Sequence, residues 1–122
     1  MVMSKRILIV DDEKPLAKAL ELKLGHEGFE AKAVFNGVEA IEALKKEKFD
    51  LVLLDLVMPQ EDGFTVLQNM AEIKGNTKVI VSSNLSQEED IDRAKSLGAT
   101  DYFIKSDTTL ADIVIKVKKY LE

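Results

Sequence analysis

Residues 51–63 read Leu51-Val52-Leu53-Leu54-Asp55-Leu56-Val57-Met58-Pro59-Gln60-Glu61-Asp62-Gly63. Four consecutive apolar residues followed by an acid are the pattern of a strand buried on both faces and ending in a charge. Comparable runs lie to either side: Ile7-Leu8-Ile9-Val10 before it, Val79-Ile80-Val81 and Tyr102-Phe103-Ile104 after it. Residues 31–35 supply one more candidate strand. Between the runs, apolar residues recur at helical spacing, which predicts a helix in each gap. The stripes are Leu16, Leu20 and Leu24; Val38, Ile41 and Leu44; Val66, Leu67, Met70 and Ile73; Ile91, Ala94 and Leu97. Leu110, Ile113, Val114, Val117 and Leu121 form the last and clearest stripe. Gly28, Gly75-Asn76 and Gly98 punctuate the pattern, and Ser86-Gln87-Glu88-Glu89 has the form of a capping box. Five strands alternating with five helices predict an α/β fold, a parallel sheet covered on both faces through right-handed crossovers.

The whole chain is consistent with one domain over residues 1–122. Hydrophobic residues make up 46% and charged residues 32%, a globular balance that excludes intrinsic disorder. The absence of cysteine excludes a disulfide-stapled secreted scaffold. No apolar run approaches the ~18 residues of a membrane span. The N-terminal Met1-Val2-Met3-Ser4-Lys5-Arg6 has no leader-like apolar region, so the chain reads as cytoplasmic. A net charge of −5 disfavours direct binding to nucleic acid.

In such a sheet, ligands bind beyond the carboxyl ends of the strands. Those ends carry Asp11-Asp12-Glu13, Asp55, Ser82-Ser83-Asn84 and Lys105, whereas the second strand runs into turn chemistry at Phe35-Asn36-Gly37. Carboxylates converging on one crevice repel one another and need a counter-charge. Oxygen-only ligation suits Mg²⁺, which keeps several waters and takes one or two carboxylates. A lysine and a hydroxyl across the crevice would complete a site for a phosphoryl group. A thiol nucleophile is impossible, and the single histidine, His26, falls at a helix end. The natural nucleophile is therefore a carboxylate.

Taken together, Asp11-Asp12, the 55–63 segment with its Met-Pro and Asp-Gly, Ser83, Tyr102 and Lys105 resemble the receiver domains of bacterial two-component response regulators. The likeness is to the stand-alone, chemotaxis-type members and covers nearly the whole chain. It implies a flavodoxin-like, doubly wound (βα)₅ fold with strand order 2-1-3-4-5. Asp55 would be the phosphoacceptor. Asp12 and Asp55 would bind Mg²⁺ directly with the backbone carbonyl of Val57, and Asp11 mainly through water. Ser83 and Lys105 would bind phosphoryl oxygens. Ser83 is preferred over Ser82, which falls where the family carries an apolar strand residue. Ser83 and Tyr102 would form the switch. The resemblance further implies a phosphorelay protein, not an enzyme proper, that promotes its own phosphorylation and dephosphorylation. Its partners would be a sensor histidine kinase or phosphotransfer protein and a downstream protein target. It would be a monomer, or a phosphorylation-dependent homodimer through the fourth helix, fifth strand and fifth helix. One departure stands out: the family usually has proline after the lysine, often behind a cis bond, and here the residue is Ser106. Either the bond is trans, or the fold holds a cis bond that costs ~2.5–4 kcal/mol before a non-proline residue.

Simpler roles compete with these. Asp11 and Asp12 could cap the first helix ahead of Pro15. Ser83 could be a turn former, Lys105 a solvated lysine and Tyr102 a packed aromatic. Lys116, Lys118 and Lys119 suit a helix C-terminus. The functional alternative is a Mg²⁺-dependent aspartyl-phosphate phosphohydrolase. Such enzymes place an acid/base carboxylate two residues past the nucleophile, where this chain has Val57.

Overall fold

The computed structural model describes residues 4–59 and 61–122. Gln60 of the 51–63 segment, and residues 1–3 of the N-terminal stretch read as lacking a leader, lie outside the described residues. The order of elements is β1 (Arg6–Val10), α1 (Lys14–His26), β2 (Glu30–Val34), α2 (Gly37–Lys46) and β3 (Leu51–Asp55). Two short strands follow, β4 (Val57–Met58) and β5 (Glu61–Asp62), then α3 (Gly63–Ala71) and β6 (Lys78–Ser83). The chain continues with α4 (Glu88–Ser96), β7 (Asp101–Ile104), a 3₁₀ turn (Lys105–Asp107) and α5 (Leu110–Leu121). The main sheet has the order β2-β1-β3-β6-β7, with every pair parallel. This is the predicted 2-1-3-4-5 order of the five core strands.

Alternation along the strands divides the core in two. Leu8, Val10, Val52, Leu54, Val79 and Val81 face α2, α3 and α4. Ile7, Ile9, Leu51, Leu53, Ile80 and Phe103 face α1 and α5. Each fully buried Leu, Ile or Val contributes about 1.5–3 kcal/mol of transfer free energy, so the central strands anchor the molecule. A one-residue slip would exchange the two faces, which locks the register.

The helix ends follow local chemistry. Gly28 and Gly98 adopt φ of 97° and 110°. In both places the following amide reaches back to the last helical turn: Phe29 N–H to Leu24 C=O at 3.1 Å and Ala99 N–H to Ala94 C=O at 3.0 Å. These are Schellman closures, which require a residue tolerant of positive φ. Three expectations need correction. The helix expected at Ser86 begins at Glu88, with Gln87 as N-cap and no side-chain capping bond. The capping box in this chain is at α5 instead, where Thr109 and Asp112 bond reciprocally. The third helix ends at Ala71, so Ile73, placed on its stripe, packs against the core from the following turn.

Candidate functional site

β1 and β3 are adjacent, so their carboxyl ends bring Asp11 and Asp55 side by side. The ladder continues one residue past β1, with Asp11 N–H on Val34 C=O at 3.2 Å. Period-two alternation then projects Asp11, Asp55 and Ser82 on the side of Ile9, Leu53 and Ile80. Asp11 is 3% and Asp55 4% exposed, unusual for carboxylates unless something nearby compensates. One oxygen from each of Asp11, Asp12 and Asp55 lies within 4.8 Å of the others.

The compensating charge comes from Lys105, at the end of β7. Its Nζ is 2.8 Å from Asp11 Oδ2, 3.3 Å from Asp55 Oδ2 and 3.5 Å from Glu13 Oε1. One ammonium thus meets three carboxylates, and Asp12 adds a fourth acid to the same cluster through Asp11 and Asp55. Burial pushes the Asp55 carboxyl above the usual carboxylate range, and neighbouring Asp11 adds to the rise. The Val57 N–H and Lys105 pull the other way without cancelling it. Burial lowers the Lys105 ammonium, but Asp11 and Asp55 outweigh that and hold it above the ordinary lysine value. The lysine is therefore firmly charged, and the acidic cluster retains an excess of negative charge. That excess, with an all-oxygen donor set, fits a small hard divalent cation.

The capping reading of the two aspartates does not hold. The N-cap of α1 is Glu13, with no side-chain capping bond, and Asp11 Oδ1 instead accepts the Glu13 N–H at 2.9 Å. Nor is the lysine a solvated one. The Lys105–Ser106 bond is trans, since no cis peptide occurs among the described residues, and Lys105 still reaches the carboxylates.

Val57 stands at the rim, paired with Asp62 in the β4–β5 hairpin. Its N–H donates to Asp55 Oδ1 at 3.1 Å, and its side chain is 56% exposed. Gly63 makes this turn possible. Its N–H bonds Leu56 C=O at 3.0 Å, and a Cβ there would run into the Leu56 backbone. Across the hairpin, Glu61 Oε2 accepts the Gly37 N–H at 2.5 Å, tying the segment to the start of α2.

Ser83 is fully buried, and its Oγ accepts the Leu85 N–H at 3.1 Å. The β3–β6 register pairs Asp55 with Ser82, so Ser82 is its direct neighbour on the same face. Ser83 lies one residue further on and turns to the other face, toward Tyr102. The Tyr102 hydroxyl donates to Leu85 C=O at 2.7 Å. Burial raises the Tyr102 phenol and the adjacent Ser83 hydroxyl opposes the rise. Ser83, Leu85 and Tyr102 thus form one hydrogen-bonded corner where β6 leaves the sheet. Leu85 also packs against the α2–α3–α4 side of the core.

The structure therefore gathers Asp11, Asp12, Asp55 and Lys105 into one cluster, with the Val57 amide bonded to Asp55. Ser83 and Tyr102 form a neighbouring group. Two further residues take part that local sequence pattern does not single out. Glu13 was visible only as the third acid of a run. Asn84 was visible only as a polar residue after a strand, yet its Oδ1 accepts the Ser106 N–H at 2.8 Å.

Comparison with known proteins adds an independent line. The family model described as "Response regulator receiver domain" matches residues 7–118. The protein named sporulation initiation phosphotransferase F, from Bacillus subtilis, is 36% identical over 120 residues, covering 98% of this chain and 96% of that protein. A CheY-like response regulator receiver domain protein from Methanospirillum hungatei superposes with a TM-score of 0.90 at 26% identity, covering 96% of this chain and 93% of that one. A response regulator from Thermotoga maritima superposes with a TM-score of 0.85 at 28% identity, covering 97% and 98%.

Proposed function

The chain belongs to the response regulator receiver domain family, and on that premise we propose that it is a Mg²⁺-dependent phosphoacceptor switch whose acceptor is Asp55. The observation that carries this reading is the Lys105 ammonium held against both Asp55 and Asp11 beside Asp12. An Asp55 oxygen attacks the phosphorus of a phosphohistidine on a sensor kinase or phosphotransfer protein. The new O–P bond forms as the N–P bond to imidazole breaks. Lys105 is already charged and placed to neutralise a phosphoryl oxygen, with no reorganisation at the moment of transfer. Ser83, which faces Tyr102 in the structure, would swing its hydroxyl round to donate to a second oxygen. Asp11, Asp12, Asp55 and the Val57 carbonyl are the groups that would hold Mg²⁺. Bound there, the ion would supply the remaining positive charge that the phosphoryl oxygens require.

Phosphorylation adds charge at Asp55 beside Lys105, and the Ser83–Leu85–Tyr102 corner begins one residue past Ser82, the strand partner of Asp55. Drawing Ser83 toward the phosphoryl group would disturb the Leu85 backbone that Tyr102 holds, biasing the α4–β7–α5 surface. This surface would engage a downstream protein or a second copy of the chain. Under this reading the chain is a monomer, or a homodimer that forms on phosphorylation. It acts in the cytoplasm without touching nucleic acid, in keeping with its net charge of −5. Among the described residues, no helix is long and apolar enough to cross a membrane.

The phosphohydrolase alternative needs an acid/base carboxylate where Val57 stands, and Val57 cannot relay a proton. Incubation with p-nitrophenyl phosphate and Mg²⁺ separates the two. A switch releases about one nitrophenolate per chain and then no more than the slow hydrolysis of phospho-Asp55 allows, far below enzymatic turnover. Turnover much faster than the measured loss of phosphate from isolated phospho-Asp55, and abolished by Asp55→Asn, would establish the enzyme instead.

A further inference from the structure

The β6–β7 pairing runs in register as far as Ser83 beside Ile104. Beyond that pair the backbone ladder stops, but one more rung is present. The Ser106 N–H donates to Asn84 Oδ1 at 2.8 Å, a side-chain carboxamide standing in for a backbone carbonyl. The Ser106 amide belongs to the peptide bond that immediately follows Lys105, the residue whose ammonium meets Asp11 and Asp55. On its other side the turn is held by Thr108, whose Oγ1 donates to Ile104 C=O at 2.7 Å. The Thr108 N–H reaches Lys105 C=O only at 3.4 Å.

This is the position where the receiver resemblance leads one to expect proline. A proline ring fixes φ and removes the N–H. Serine does neither, leaving a softer dihedral and, on this exposed residue, an N–H that water or the protein can satisfy. Asn84 provides the acceptor from the residue next to Ser83. The direction of the chain leaving Lys105, which a ring would otherwise set, is set here by the Asn84 hydrogen bond from the neighbouring strand end together with the Thr108 bonds within the turn.

We propose that Asn84 is a positioning residue for Lys105. Its carboxamide holds the 105–106 peptide so that the ammonium stays on Asp55, and it makes the loops after β6 and β7 move as one. The proposal rests on the assignment of Asp55 and Lys105 as acceptor and phosphoryl-binding lysine. A net hydrogen bond of this kind corresponds to roughly a two- to tenfold effect.

The test uses the intact chain, acetyl phosphate and Mg²⁺. Asn84→Ala should slow phosphorylation by about two- to tenfold and speed hydrogen exchange at the Ser106 amide. It should also lower the order parameter of the Lys105 Cε methylene. Asn84→Asp, which keeps an acceptor, should restore protection of the Ser106 amide, and Ser106→Ala, which keeps the N–H, should match the parent. On a Lys105→Met background, Asn84→Ala should cost nothing further, whereas a purely structural role would cost the same on both backgrounds. Unchanged order at Lys105 in Asn84→Ala, or an equal loss on both backgrounds, overturns the proposal. If Asp55→Asn still gains phosphate like the parent, the acceptor assignment fails instead, and the Lys105 order parameter alone decides the role of Asn84.

Discussion

Replacing Gly63 by alanine sets two physical effects against each other at the first residue of α3. Helix propensity favours the change, because alanine is better than glycine by about 0.8–1.0 kcal/mol in a helix interior. Sterics oppose it. A Cβ built on Gly63 lies 2.6 Å from the Leu56 carbonyl carbon, and closer still to the Leu56 Cα and carbonyl oxygen. Ordinary contact begins at 3.4 Å, so these backbones must separate by at least ~0.8 Å (3.4 − 2.6). The obstacle is main chain, not the end of a flexible side chain, and it sits next to Asp55. Overpacking of this kind costs about 1–3 kcal/mol or more, so the steric term wins. Set against the propensity gain, this leaves a net loss of up to about 2 kcal/mol for Gly63→Ala in urea unfolding. Displacing the hairpin also shifts Val57, whose N–H bonds Asp55 Oδ1. A misplacement near 1 Å can cost ~10²-fold in rate. Phosphorylation by acetyl phosphate, followed by intact mass, should therefore slow by one to two orders of magnitude. A Gly63→Ala protein at least as stable as the parent, with an unchanged rate, would refute the steric reasoning.

Two further outcomes follow from the acidic cluster and its rim. Asp55→Asn should stabilise the metal-free protein by about 0.5–2 kcal/mol at neutral pH, as active-site replacements often do. The folded-state pKa of Asp55 is raised, so this group's contribution to stability falls as pH rises from the ordinary aspartate range through the raised value. The advantage of asparagine should therefore be complete above that window and vanish below it, as urea titrations across pH would reveal. Loss of phosphate from Asp55 should be slow, because Val57 and Leu85 cannot orient an attacking water. Val57→Asn should hasten decay more than Leu85→Glu, since Leu85 is drawn into core packing while Val57 is exposed. The gain is bounded by the ~10²–10⁴-fold that positioned acid/base groups supply, and decay rates no faster than the parent's would contradict this account.

The legible parts of this molecule are those governed by local pattern. Doubly buried strands announced themselves as continuous apolar runs, and the acids and lysine at their ends fell where a parallel sheet gathers them. The Schellman glycines were legible because positive φ leaves few choices of residue. Ser86 misled because a capping box needs its backbone to turn at the right residue. Here the Ser83–Leu85–Tyr102 corner governs the exit from β6, and the helix starts later. The role of Asn84 was hidden for a related reason. Its partner is 22 positions away, and nothing in local spacing says which acceptor meets the Ser106 amide. The register that places Ser82, and not Ser83, beside Asp55 is likewise a property of two strands together.

Intact-mass spectrometry after incubation with acetyl phosphate, with and without Mg²⁺, decides whether Asp55 is the phosphoacceptor of a Mg²⁺-dependent switch. One added phosphoryl group per chain is expected, labile to acid and hydroxylamine, not formed when Mg²⁺ is chelated before the donor is added, and absent in Asp55→Asn. A phosphoryl group of the same yield on Asp55→Asn, or one formed equally well without divalent cation, would contradict that assignment.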